Sequence, residues 1–450
     1  MSNQFIPIKR DQPFEIPVNE WVAGDHLVRF IVAIVESLDL NALEGAYSGG
    51  GSAPYPPAMM LALLFYGYAT GIFSSRALER ATYESIPVIY LTGNTHPDHN
   101  SINTFRKRFL GQLGNLFVQI LLKAYALGAV KLGDVSLDGT KIHANANKHK
   151  ALSWDYANKL EEQLRLEVEA LLQRAAEGEA GAVSGMKIDE EVARRQARLQ
   201  QIGEAKEELE ARAAVRYAQE KAEHEAKLAE RAEKEKERGR KLGGRAPKAP
   251  EPGPRADDQV NLTDGESRIM PVAWGGFEQA YNAQACVDHA SRLIVENHLT
   301  QQPNDKQEVV PALAALNALP EELGEVKCLT ADNGYFSAAN ATDCEEAGCI
   351  PMLAVGRDPH HPSPEERFAD PGPAPADTTD AVTRMRHSLK TPEGKAIYAK
   401  RKSTVEPVFG IIKSIMGFRQ FMLRGLKAVQ GEWTLVCIAY NLKRLQVVVG

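Results

Sequence analysis

The feature that most limits the fold is a long charged helical block set between strand signals. Residues 156–174 carry Leu160, Leu164, Val168 and Leu171 on one stripe, the spacing of an amphipathic helix. After a loop of small residues at 178–185, Val192, Leu199, Ile202 and Leu209 recur at near-heptad spacing and lead into the charged stretch 218–241. Two helices sharing one apolar seam, with solvated outer faces, satisfy that pattern. A Gly/Pro-rich connection follows at 243–254 and reads as flexible. One strand signal, 135–142, precedes the block, and two more, 281–287 and 293–299, come after it. A sheet containing all three is therefore interrupted by a helical, coiled-coil-like insertion at 152–260. On its own this insertion reads as a solvated helix pair without chemistry.

Residues 1–130 read as all-helical. Leu27, Phe30, Ile31, Ile34, Val35 and Leu38 recur on one helical face, a Gly/Pro-rich break covers 48–57, and helices are expected at 58–69 and 74–83. Ser101 is expected to cap a further helix carrying Phe105, Arg106, Lys107 and Arg108. Beyond 261 the expected order is two strands, a helix at 308–319, a strand at 326–330, a helix at 338–347 and a strand at 350–355. An irregular stretch follows at 360–380, then helices at 404–416 and 432–445. Strands that later alternate with helices indicate a mixed α/β domain. The chain thus divides into a helical part (1–130), the start of the core (131–151), the insertion and linker (152–260), and the rest of the core (261–450).

The net charge of −6 argues against a uniformly basic surface, but phosphate binding depends on local Lys and Arg clusters. Five cysteines, with no CxxC pair, argue against a zinc site or a disulfide framework. No H-x₃-H or HExxH spacing occurs, and His143 and His149 read as surface residues. The N-terminus lacks a signal-peptide core, and the apolar run 59–68 is too short to span a bilayer. A cytoplasmic enzyme is the expectation.

Three acids stand out by position. Asp138 lies within an apolar strand, where a charge is unfavourable unless it is paired or metal-bound. Asp332 directly follows the apolar run Cys328-Leu329-Thr330-Ala331, and strand ends are where sites form in open α/β sheets. Glu406 lies beside the apolar helix face of Val405, Val408, Phe409 and Ile412, after the basic run Lys400-Arg401-Lys402. Carboxylates converging from separate elements suit a pair of hard divalent cations clamping an in-line phosphoryl displacement. Taken singly, each Asp is most simply a turn or cap residue and Glu406 a surface residue. Asp134, Asp264, Asp288 and Asp358 also lie near strands or turns.

Together, Asp138-Gly139-Thr140, Asp332-Asn333-Gly334-Tyr335 and the helix from Glu406 to Lys413 resemble the DDE transposases of bacterial insertion sequences. Within these, they resemble the group with a Tyr–Arg–Glu–Lys signature on the last catalytic helix. Glu406 and Lys413 match that spacing; Tyr398 and Arg401 stand one residue too far from Glu406, and Lys402 occupies the strict Arg position. The resemblance covers most of the chain, with the insertion as its poorest match.

It implies an RNase H-like mixed sheet carrying Asp138 on the first strand, Asp332 after the fourth and Glu406 on a late helix. It also implies two Mg²⁺ (or Mn²⁺) ions on these carboxylates, cleavage at the element's ends and strand transfer by the freed 3′-hydroxyl. The implied partners are terminal inverted repeats, target DNA and further copies of the chain in a synaptic dimer or larger assembly. Arg106, Lys107, Arg108, Lys141, Arg401, Lys402 and Lys413 are the expected DNA contacts. Trp154, Trp274 and Trp433 read as core residues before base-stacking ones. Two other readings stay open: an RNase H-like nuclease that cuts without joining, and an inactive DNA-binding or scaffold protein derived from a transposase.

Overall fold

The computed structural model describes residues 17–47, 53–176, 188–241, 243–272, 275–356, 371–376 and 378–450. The loop at 178–185, most of the irregular stretch 360–380, Asp358 and Trp274 lie outside them. Near the start of the chain, helix Leu27–Glu36 is capped by His26, whose Nδ1 accepts from the Val28 N–H at 3.1 Å. Helix Pro57–Ala69 is buried continuously from Met60 to Ala69. A helix apolar on every side belongs in a core, and this one packs between Leu27–Glu36 and the last helix, Leu426–Val449. Gly67 permits a close crossing, since a Cβ there would lie 2.5 Å from a Leu78 methyl and 2.9 Å from the Ile72 carbonyl.

The main sheet has six strands. These are β1 (Asp134–His143), β4 (Arg268–Pro271), β5 (Phe277–Asp288), β6 (Ile294–Thr300), β7 (Cys328–Ala331) and β8 (Ile350–Leu353). Their order is β4-β5-β1-β7-β8, with β6 also on β5. β1 runs antiparallel to β5, with Asp138 opposite Ala285, and parallel to β7, with Ser136 opposite Thr330. β4 and β6 share the outer edge of β5, along 277–280 and 282–287 respectively. Helix Pro392–Gly410 packs on β1, β5 and β7. Helix Leu426–Val449 packs on β6 and joins the sheet to the N-terminal helices; its buried Trp433 donates to the Gln284 carbonyl at 2.9 Å.

Between β1 and β4 the chain leaves the sheet. Helices Trp154–Ala176 and Ile188–Arg238 pack along each other. The seam forms small apolar clusters separate from the main core, including Leu152, Ala157, Leu164 and Ile202. At the root, β2 (Ala151–Ser153) pairs antiparallel with β3 (Gln259–Asn261). The 51-residue helix is roughly 75 Å long at 1.5 Å per residue.

The sequence reading differs at several boundaries. The helix expected to start at Ser101 starts at His99, because Asp98 accepts the N–H groups of Asn100 and Ser101 at 2.8 and 3.0 Å. The helix expected at 404–416 begins at Pro392 behind a Thr391 cap, and a π-helical turn, Ile411–Ile415, replaces the α-helix beyond Gly410. Helices Ile86–Thr92 and Ala381–Lys390 and strand β4 had no sequence expectation. Among the described residues no helix is long and apolar enough to cross a membrane.

Candidate active site

Asp138 sits on β1 with its side chain 18% exposed. Its Oδ1 accepts the Gly139 N–H at 2.8 Å. Burial pushes its carboxyl up to about 7; the Gly139 amide and Arg401 pull it down, and the charges of Asp332 and Asp305 push it up again. The strand thus holds a carboxylate short of positive charge. Asp332 directly follows β7 and caps the short turn Asn333–Tyr335, with Oδ1 accepting the Gly334 N–H at 2.7 Å.

Glu406 projects from helix Pro392–Gly410 and is half exposed. Arg401, on the buried face of that helix, lies between two acids: Nη1 is 3.6 Å from Asp138 and Nη2 is 3.6 Å from Glu406. Its Nε is buried without a partner. As placed, no three acidic, His or Cys side chains among the described residues converge closely enough to bind one cation; the guanidinium separates Asp138 from Glu406.

Lys413 turns back to β1, donating to Thr140 Oγ1 at 2.5 Å and to the Lys141 carbonyl at 3.0 Å. Burial, then the charges of Arg419 and Lys141, lower its ammonium from the usual lysine range. Lys141 reaches Asp305 at 3.4 Å. Asp305 is the residue that sequence reasoning missed. It lies in a polar loop where Asp is an ordinary turn former, and its contacts emerge only from the pairing of β1 with β5. Gly139 has a packing reason: a Cβ there would lie 2.2 Å from Gln284 Nε2 and 2.9 Å from both Asn282 Oδ1 and Asp305 Oδ1.

The remaining expected DNA contacts separate. Arg106 is buried; it donates to Tyr68 Oη at 3.1 Å and to the Phe73 carbonyl at 3.0 Å, and Tyr68 donates to the buried Glu432 at 2.6 Å. It ties the N-terminal helices to the last helix instead of facing solvent with its neighbours. Lys107, Arg108 and Lys402 are exposed, with Arg108 stacked over Tyr47. Lys107, Arg108, Arg424 and Lys427 border an open groove of about 1230 Å³, which Glu266 and Glu296 also line.

A second acidic group lies elsewhere on the sheet. His298 on β6 stands between Glu296, at 2.8 Å, and Glu308, at 3.1 Å. Burial opposes its charge, but the two carboxylates carry its imidazolium up to about 9.

A family model described as Transposase domain (DUF772) matches residues 17–108, and one described as Transposase DDE domain matches residues 271–442. The second match contains Asp332, Arg401, Glu406 and Lys413 and begins after Asp138 and the helical insertion. No curated protein and no solved structure gives a match.

Proposed function

The chain belongs to the DDE-type transposases of insertion sequences, and from that premise we propose that it cleaves DNA at its element's ends and joins the freed ends to target DNA. The observation that carries this reading is Asp138, a partly buried strand carboxylate whose affinity for a proton is raised by burial and by two neighbouring acids. Such a group gains most from a cation. The fold supports an RNase H-like core, because β5 and then β6 follow antiparallel on one side of β1 while β7 and β8 run parallel on its other side. The helices of 17–126 would form a DNA-binding part ahead of this core, with the insertion outside it.

The donors fit a hard divalent cation in kind, since Asp138, Asp332 and Glu406 offer only oxygen. Two Mg²⁺ or Mn²⁺ ions bound there would activate the attacking oxygen and stabilise the leaving one. The chain's own residues do the rest. Gly139 and Thr140 hold Asp138 and Lys413 in register, while Arg401 balances the carboxylates before DNA arrives. Lys141 and Lys413 would meet the scissile strand, and Lys107, Arg108 and Lys402 would take phosphates farther along. Partners are terminal repeats, target DNA and a second copy in the synaptic assembly.

The test uses a plasmid carrying the terminal repeats and, separately, oligonucleotide ends with a free 3′-hydroxyl. Metal-dependent cutting together with joining of the pre-cut ends is expected. Cutting without joining would replace this reading with that of a nuclease.

A further inference from the structure

We propose that Asp305 is a fourth carboxylate of the cleavage site, facing the same cations as Asp138 and Asp332. The inference rests on the cleavage reading above. Asp305 is held by one oxygen only: Oδ1 accepts from Asn282 Nδ2 at 2.6 Å, Gln284 Nε2 at 2.8 Å and Lys141 Nζ at 3.4 Å. Those donors are themselves fixed. Gln284 accepts from the buried Tyr335 hydroxyl at 2.5 Å, and Asn282 Nδ2 also reaches the Gln302 carbonyl at 3.1 Å. Among the described residues no hydrogen bond ends on Oδ2, which lies 3.7 Å from the position a Cβ would take on Gly334; Asp332 Oδ1 lies 2.9 Å from the same point. Two carboxylate oxygens from different loops therefore flank Gly334, which has no side chain to stand between them.

A second observation points into this place. Asn282 is wholly buried, and its Oδ1 has no partner. That oxygen lies 2.9 Å from the Cβ position of Gly139, as does Asp305 Oδ1. A buried acceptor without a donor is unfavourable, and an amide oxygen beside the Asp305 carboxylate adds a further hard ligand. Pairing with Lys141 alone would not require an oxygen left free toward Asp332.

Asp305→Asn tests this cleanly, because it keeps a carbonyl oxygen for the three donors and alters the free oxygen. Mn²⁺ binding to the full-length, DNA-free chain is followed by electron paramagnetic resonance, thermal unfolding is followed in EDTA, and Asp138→Asn is run beside it. The expected result is an unchanged unfolding midpoint, Mn²⁺ affinity lowered by roughly tenfold or more, and cleavage partly restored at high Mn²⁺. A D305N chain with parental Mn²⁺ affinity and parental metal dependence of cleavage overturns the assignment, whether or not it melts earlier. If D138N weakens Mn²⁺ binding in that case, only the Asp305 proposal falls. If neither variant changes Mn²⁺ binding, the metal reading of the whole site falls with it.

Discussion

The same sheet carries two acidic groups that are balanced in opposite ways. On β6 and the start of the following helix, Glu296 and Glu308 close on His298 from both sides and hold it as a cation. On β1 and the end of β7, Asp138 and Asp332 neighbour Asp305 from the loop after β6; Arg401 lies beside Asp138 and Lys141 beside Asp305. The first group has a cation seated between its two acids, with Glu296 Oε2 left without a partner; in the second, burial and the neighbouring acids keep Asp138 favouring its proton.

The comparison breaks first at His298. Replacing it with Leu leaves two buried glutamates without their counter-charge, and removing one partner of a buried pair destabilises by about 3–5 kcal/mol. Urea unfolding should register that loss while the folded fraction keeps its metal-dependent cleavage. Lost cleavage at parental stability would mean that this group also serves the reaction.

Glu406→Gln should do the reverse, keeping the fold while cleavage falls about 100- to 1000-fold, the scale of losing one electrostatic stabiliser. Terminal-repeat binding, measured by gel shift, should persist because Lys and Arg supply phosphate contacts. Near-parental cleavage would show that another acid completes the site.

The pH dependence sharpens the contrast. His298 binds its proton more tightly folded, near 9, than at its ordinary 6.5. Its stabilisation is therefore full below 6.5 and lost as pH rises through about 9, amounting to about 3 kcal/mol. Unfolding free energies across that window should decline for the parent and stay level for His298→Gln.

The smallest effect is expected at Lys413. Lys413→Ala removes its bonds to Thr140 and Lys141, so cleavage should drop roughly tenfold. The salt slope of end binding should fall by about one, and added Mg²⁺ should not restore it. An unchanged slope would make Lys413 a tether of β1 only.

Asp138 was legible as a lone charge in an apolar strand, and Asp332 as the residue closing the apolar run 328–331. Arg401 was legible only in part. Signature spacing pointed to Lys402, yet the buried helix face runs through Arg401, Thr404, Val405 and Val408, so helical period selects Arg401. The same period hides Arg106, which shares its inward face with Ile102, Phe105 and Phe109. Glu296 and His298 lie two apart on one strand and so share a face, but Glu308 comes from another element. Asp305 gave no local signal, because its partners Lys141, Asn282 and Gln284 meet only through the register that sets Lys141 against Asn282 and Gly139 against Gln284.

β1 and β5 are neighbours along most of their length, yet residues 144–276 separate them in the chain. On the ribosome β1 is finished roughly ten seconds before its partner strand exists, at synthesis rates of 5–20 residues per second. Through that interval the strand bearing Asp138 has no antiparallel neighbour. The β2–β3 clasp limits the delay, since once the helix pair has formed, the two ends of the excursion already lie side by side. The entropy of closing a long loop is then largely met by local helix pairing before the sheet assembles. A nascent chain stalled before residue 277 would carry a folded antenna and an open strand edge, the state in which this protein is most exposed to mispairing with a second copy.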